Sequence, residues 1–187
     1  MNSPNDLFYV ERVKAGDIRA FSAIVENYRK MVFTIVLKIV DNREDAEDIT
    51  QEVFVKAFKS LGQFREESGF STWLYRIAYN TTLSELRKRK WTYVSINENL
   101  NADNEPVDDG EALDWTDIKL QHLDEALKKL LPDEIFLITL YYFEEQSMEA
   151  ISKISNLSVA NVKVKLHRIR KKLALEINRL LEDEYNR

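Results

Sequence analysis

Apolar residues recur every three to four positions along most of this chain, and the two-residue alternation of half-buried strands is hard to find. The period predicts helices over about 6–14, 20–40, 43–61 and 70–91, with Gly62 and Gly69 bracketing the loop QFREES. An Asn- and Asp-rich stretch at 97–110 interrupts the pattern. It resumes over 117–131, over 133–143 behind Pro132, and over 148–155. Asn156 and Leu157 read as a turn, because Asn tolerates a left-handed backbone, and Ser158 is placed to cap a long final helix. The expected fold is all-α: two small helical bundles joined by a flexible acidic linker. The boundaries fall at 1–91, 92–117 and 118–187, and the last part carries a helix-turn-helix.

Three helices carry more than core-forming pattern. In 70–90, FSTWLYRIAYNTTLSELRKRK, the positions Phe70, Trp73, Leu74, Ile77, Ala78 and Thr81 share an apolar side. Thr72, Arg76 and Asn80 project along another side, and the helix ends in Arg87, Lys88, Arg89 and Lys90. Aromatic, hydrogen-bonding and cationic groups together suit unstacked bases and phosphates, with stacking worth roughly 1–3 kcal/mol per base. A buried amphipathic helix with a solvated basic end fits the same segment. In 147–173, SMEAISKISNLSVANVKVKLHRIRKKL, the stripe Val159, Val162, Leu166, Ile169, Leu173 and Ile177 would pack inward. Ala160, Asn161, Lys163, Val164, His167, Arg168 and Lys171 lie opposite, as on a helix laid in a major groove. A coiled-coil-like terminal helix is the alternative, and it leaves the capped turn unexplained. In 41–58, DNREDAEDITQEVFVKAF, the buried stripe leaves Asp45, Glu47, Asp48, Gln51 and Glu52 outside. Acids near a helix start also favour the helix dipole, but an acidic face repels DNA and is better suited to a protein partner.

Composition narrows the classes. The 187 residues are 44% hydrophobic, enough to build cores, and contain no cysteine, which removes disulfides and thiol chemistry. No apolar run approaches the roughly 20 residues of a membrane span, and the first residues lack the order of a secretory signal, so a soluble cytoplasmic protein is expected. The net charge of −5 is confined to one segment. Lys and Arg against Asp and Glu number 15 and 13 over 1–91, 0 and 8 over 92–117, and 12 and 11 over 118–187. Local patches, not the mean, decide where a polyanion docks. With two separated histidines, His122 and His167, and no phosphate-binding glycine loop or His-Glu metal motif, no catalytic residue, metal site, cofactor or small-molecule substrate is expected. Carboxylates on one helix without further ligands leave a metal-dependent nuclease a remote competitor. A dimeric helix-turn-helix regulator acting on duplex DNA is the stronger one, though it gives the aromatic and acidic helices no use.

The order DAEDITQEVF, then FSTWLYRIAYN with its basic end, then an acidic tether and SVANVKVKLHRIRKKL resembles an extracytoplasmic-function sigma factor of bacterial RNA polymerase over nearly the whole chain. The resemblance implies that residues 45–58 grip the polymerase clamp, with Asp45, Asp48, Gln51, Glu52 and Val55 as contacts. It implies that residues 63–80 recognise and melt the −10 promoter element. Phe64 and Ser68 would form a base pocket there, with Arg65, Phe70, Thr72, Trp73, Arg76 and Asn80 alongside and the run from Arg87 to Lys90 on phosphates. It further implies that the C-terminal domain sits on the polymerase flap and reads the −35 element through Ser158, Asn161, Lys163, Val164, His167, Arg168 and Lys171. Core RNA polymerase and promoter DNA are the implied partners. The family often adds an anti-sigma factor at the membrane. The chain departs from the family pattern at Glu149-Ala150, where paired acids are frequent, at Ser152 for alanine and at Asn156 for glycine.

Overall fold

The computed structural model describes residues 4–89 and 117–185, and every regular element among them is helical. Lys90 and the linker over 92–116 lie outside the described residues. The N-terminal group comprises α1 (Pro4–Lys14), α2 (Phe21–Val40), α3 (Arg43–Ser60) and α4 (Phe70–Arg89), with single 3₁₀ turns at Ile18–Ala20 and Leu61–Gln63. The C-terminal group comprises α5 (Asp117–Leu127), α6 (Pro132–Tyr142), α7 (Met148–Ser155) and α8 (Val159–Tyr185).

Local chemistry sets the helix ends. Asp41 takes a left-handed backbone at φ 51° and closes α2, and its neighbour Asn42 opens α3 by accepting from the Asp45 amide at 3.0 Å. Pro132 stands in the first turn of α6, where its missing N–H costs nothing, while Glu134 reaches back to accept from the Leu131 amide at 2.7 Å. The predicted helix at 117–131 is shorter than expected, since the chain turns after Leu127 to bury Leu130.

Both apolar stripes behave as their spacing requires. Val32, Ile35 and Val36 of α2 are buried with Ile49, Val53 and Ala57 of α3 and Leu74 and Ala78 of α4. In the other group Val162, Leu166, Ile169, Leu173 and Ile177 of α8 are buried with Phe136, Leu137, Leu140, Ile151 and Ile154. Lys165 and Lys172 tie α8 to the start of α6 through Asp133 at 2.9 Å and Glu134 at 2.8 Å. The two groups are also packed on each other, α4 against α7 and α6, and α2 against α6. A tether alone does not imply that contact.

Candidate nucleic-acid and protein interfaces

The helix-turn-helix is built by three side-chain oxygens. Ser147 caps α7 by accepting from the Ala150 amide at 3.2 Å, and Ser158 caps α8 by accepting from the Asn161 amide at 3.2 Å. Between them Asn156 is left-handed at φ 59°, the conformation its position in the turn demands of a residue replacing glycine. Ser152 donates its hydroxyl to the Leu157 carbonyl at 2.5 Å and so ties α7 to the turn. On α8 the outward side carries Asn161, Lys163, Arg168 and Lys171 exposed, Val164 and His167 half-buried, and Ser158 exposed at the cap. Lys165 is diverted to its ion pair with Asp133, which leaves Lys163 as the cation of the first turn. Glu149 adjoins it: its carboxyl is held below the ordinary range by its own backbone N–H and by Ser147, with Lys163 adding attraction.

The aromatic helix divides differently from its sequence pattern. Phe64 and Phe70, expected to face DNA, are 3% and 0% exposed and form one cluster with Trp73 and Tyr28. Their ring centroids lie 5.3 to 5.5 Å apart, and Lys14 fixes the loop by donating to the Phe64 carbonyl at 2.8 Å. Both phenyl rings therefore shape the loop from beneath, and neither is presented for stacking. What the loop and α4 do present are exposed Arg65, Arg76 and Asn80, with Ser68, Thr72 and Trp73 half-buried at the margin. Toward the end of α4 Lys88 pairs with Glu85 at 2.5 Å, and Arg87 donates to the Leu83 carbonyl at 3.2 Å, so this basic run is partly engaged within its own helix. Arg89 is the last residue of α4.

The acidic helix α3 presents less acid than its spacing suggests. Glu52 pairs with Lys56 at 2.7 Å, and the Glu85 carboxyl of α4 is held below its ordinary range chiefly by the hydrogen bond from Lys88. Asp48 and Gln51 are exposed, Asp45 is half-buried, and Val55 is 50% exposed beside Phe58. Gln51 and Val55 border a groove between α2 and α3 with a cavity of about 450 Å³, lined also by Val25, Arg29, Phe33 and Phe54. The buried Thr50 hydroxyl in its wall has no hydrogen-bond partner. Val25, Arg29 and Phe33 were not among the candidates. Their signal in the sequence is that α2 holds more apolar residues than one buried stripe can use.

No helix among the described residues is long and apolar enough to cross a membrane, and no group of three His, Asp or Glu side chains among them is placed to hold a metal ion.

Comparison with known proteins gives the family. Residues 24–92 match the model of sigma-70 region 2, and residues 120–173 match that of sigma-70 region 4. The ECF RNA polymerase sigma factor SigW of Bacillus subtilis is 34% identical over 179 residues, covering 91% of this chain and 96% of that protein. The ECF RNA polymerase sigma-E factor of Escherichia coli is 31% identical over 184 residues, covering 94% and 96%. Among solved structures the chain is similar in fold to CnrH in complex with the cytosolic domain of CnrY, with TM-score 0.67 and 21% identity over 92% of this chain and 97% of that one. It is also similar to the sigma factor RpoE in complex with the anti-sigma factor NepR from Bartonella quintana, with TM-score 0.63 and 22% identity over 84% and 96%.

Proposed function

The chain belongs to the extracytoplasmic-function sigma factors of RNA polymerase, and we propose that it works through two modules, 1–91 on the −10 element and 118–187 on the −35 element, joined by 92–117. It is a promoter-recognising transcription initiation factor and not an enzyme. Its partners are core RNA polymerase and promoter DNA, and it acts in the cytoplasm, where polymerase is. The observation that carries the modular reading is the pair of outward polar and basic surfaces, on α4 and on the start of α8, each carried by a different helical group.

Asp48, Gln51 and Val55 meet the polymerase clamp, with the α2 groove beside them receiving a side chain of the partner. Arg76 and Asn80 bind the displaced strand, with Trp73 and Thr72 at the edge. Opening a base pair costs a few kcal/mol, which one or two stacking and hydrogen-bond contacts offset. Phe64 and Phe70 contribute by holding the 64–69 loop in place. Asn161 and Lys163 reach base edges of the −35 element while Arg168 and Lys171 hold phosphates. The solved complex of RpoE with the anti-sigma factor NepR supports an anti-sigma factor as a further partner.

Binding assays with and without core polymerase test this reading against a conventional dimeric regulator. The sigma reading expects specific binding to a promoter fragment only with core enzyme present. Tight, specific binding of the protein alone to duplex DNA, unaltered by polymerase, would overturn it.

A further inference from the structure

Helix α1 lies ahead of residues 24–92, the span that matches sigma-70 region 2, and yet its two ends reach the bed of the −10 loop. Asp6, in the first turn of α1 and 1% exposed, accepts from the Tyr28 hydroxyl of α2 at 2.6 Å. Tyr28 in turn meets Phe70 edge to face with centroids 5.5 Å apart, so the start of α1 is tied to the ring cluster beneath the loop. The other end of α1 is fixed by a tight turn. Gly16 is left-handed at φ 101°, the Asp17 amide donates to the Arg12 carbonyl at 3.0 Å, and the Arg12 guanidinium pairs with the Asp17 carboxylate. From that last turn Lys14 crosses 50 residues of sequence to donate to the Phe64 carbonyl at 2.8 Å, its ammonium 5.7 Å from the centroid of the same residue's ring.

The contact falls where the loop needs an anchor. The Phe64 amide donates to the Leu61 carbonyl at 3.1 Å and so ends the 3₁₀ turn, while α4 opens with the Gly69 carbonyl accepting from the Trp73 amide at 3.0 Å. Between them Arg65, Glu66 and Glu67 are exposed, and Glu66 is left-handed at φ 61°, a backbone that an L side chain holds only where its surroundings impose it. The buried Phe64 ring fixes the loop from beneath. Lys14 fixes the Phe64 carbonyl, and with it the direction in which Arg65 leaves. We propose that Lys14 is a positioning residue of the −10 module: from outside the segment 63–80 it holds the loop, before DNA arrives, in the shape that admits an unpaired base. This rests on the promoter reading above. A loop ordered in advance avoids the entropy loss of ordering it on the strand, so removing the anchor impairs strand capture and leaves folding and core binding in place.

Lys14→Met keeps the length of the stem and removes the donor, whereas Lys14→Arg keeps a donor. Trp73 reports on the loop, since its ring lies 5.3 Å from that of Phe64 and is half-buried at the margin. With Trp91→Phe and Trp115→Phe it becomes the sole tryptophan. In that background and without DNA, Lys14→Met should raise the acrylamide quenching constant of Trp73 about twofold, and Lys14→Arg should match the parent. With the natural tryptophans restored, Lys14→Met should lower run-off transcription by core polymerase about fivefold on a duplex promoter and less on a template opened at −10, with Lys14→Arg close to the parent. Quenching unmoved by Lys14→Met would overturn the anchor, including the case in which Lys14 only touches a phosphate. A moved signal with unchanged transcription would overturn its part in promoter opening. A merely structural role would lower the unfolding midpoint and core capture together with transcription, and would overturn the proposal as well. The quenching measurement needs neither polymerase nor promoter, so absence of any polymerase-dependent transcript from the parent would contradict the promoter reading separately.

Discussion

Arg168 and Lys171 stand one helical turn apart on the exposed side of α8, and as phosphate contacts they carry no sequence information. Replacing each by alanine should weaken −35 binding on all sequences and reduce the slope of log K against log salt by about one per cation removed. Titrations of the polymerase-bound protein at several salt concentrations measure this. Asn161, whose side chain is exposed while its amide is held by Ser158, should act in the other way. Asn161→Ala is expected to relax preference at one base position with little change in the salt slope, read by selection from a randomised −35 library. On α3, Asp48→Lys with Val55→Glu should reduce capture of core polymerase at least tenfold without loss of helicity. These exposed residues were legible in the sequence because helical spacing alone separates them from the buried stripe. Phe64 and Phe70 were not, since an aromatic at the margin of an amphipathic helix is equally suited to a base and to a neighbouring ring. Tyr28, two helices away, decides the matter by packing on Phe70.

At the scale of elements, the helix-turn-helix was legible in detail because its determinants are local. Asn156 and Ser158 act within four residues of themselves, through a left-handed backbone and a cap. Ser158→Ala should therefore cost about 1 kcal/mol by loss of the cap, and Asn156→Ala about 1 kcal/mol because alanine lacks the short polar side chain whose local hydrogen bonding lets asparagine adopt the left-handed region. Asn156→Gly should be tolerated. Thermal unfolding of the three variants gives the order directly, and a destabilised Asn156→Gly would show that the asparagine side chain has a further role. The groove between α2 and α3 was not legible. Which face of α2 remains uncovered depends on where α1, α3 and α4 settle, and that is decided by packing between helices and not by spacing within one.

The whole molecule is closed by contacts between residues far apart in the chain, such as Tyr75 with Glu144 and Lys38 with Phe143. The apolar side read from the spacing of the helix leaves Tyr75 out and gives it no partner, so the two bundles were foreseen and their docking was not. Burial, and then the hydrogen bond to Glu144, push the Tyr75 phenol well above its ordinary range, so it stays a neutral donor across physiological pH. On the proposed function, this chain bound to polymerase separates the strands of a promoter through the outward side of α4. Run-off transcription with purified core polymerase tests it most directly, comparing a duplex promoter with the same template already opened at the −10 position. The parent should give a start-specific transcript from both templates. Arg76→Ala with Asn80→Ala should lose most activity on the duplex and recover much of it on the opened template, because that template no longer requires the few kcal/mol that unpairing consumes. Equal defects on the two templates, in a variant still folded and still bound to polymerase, would contradict the claim.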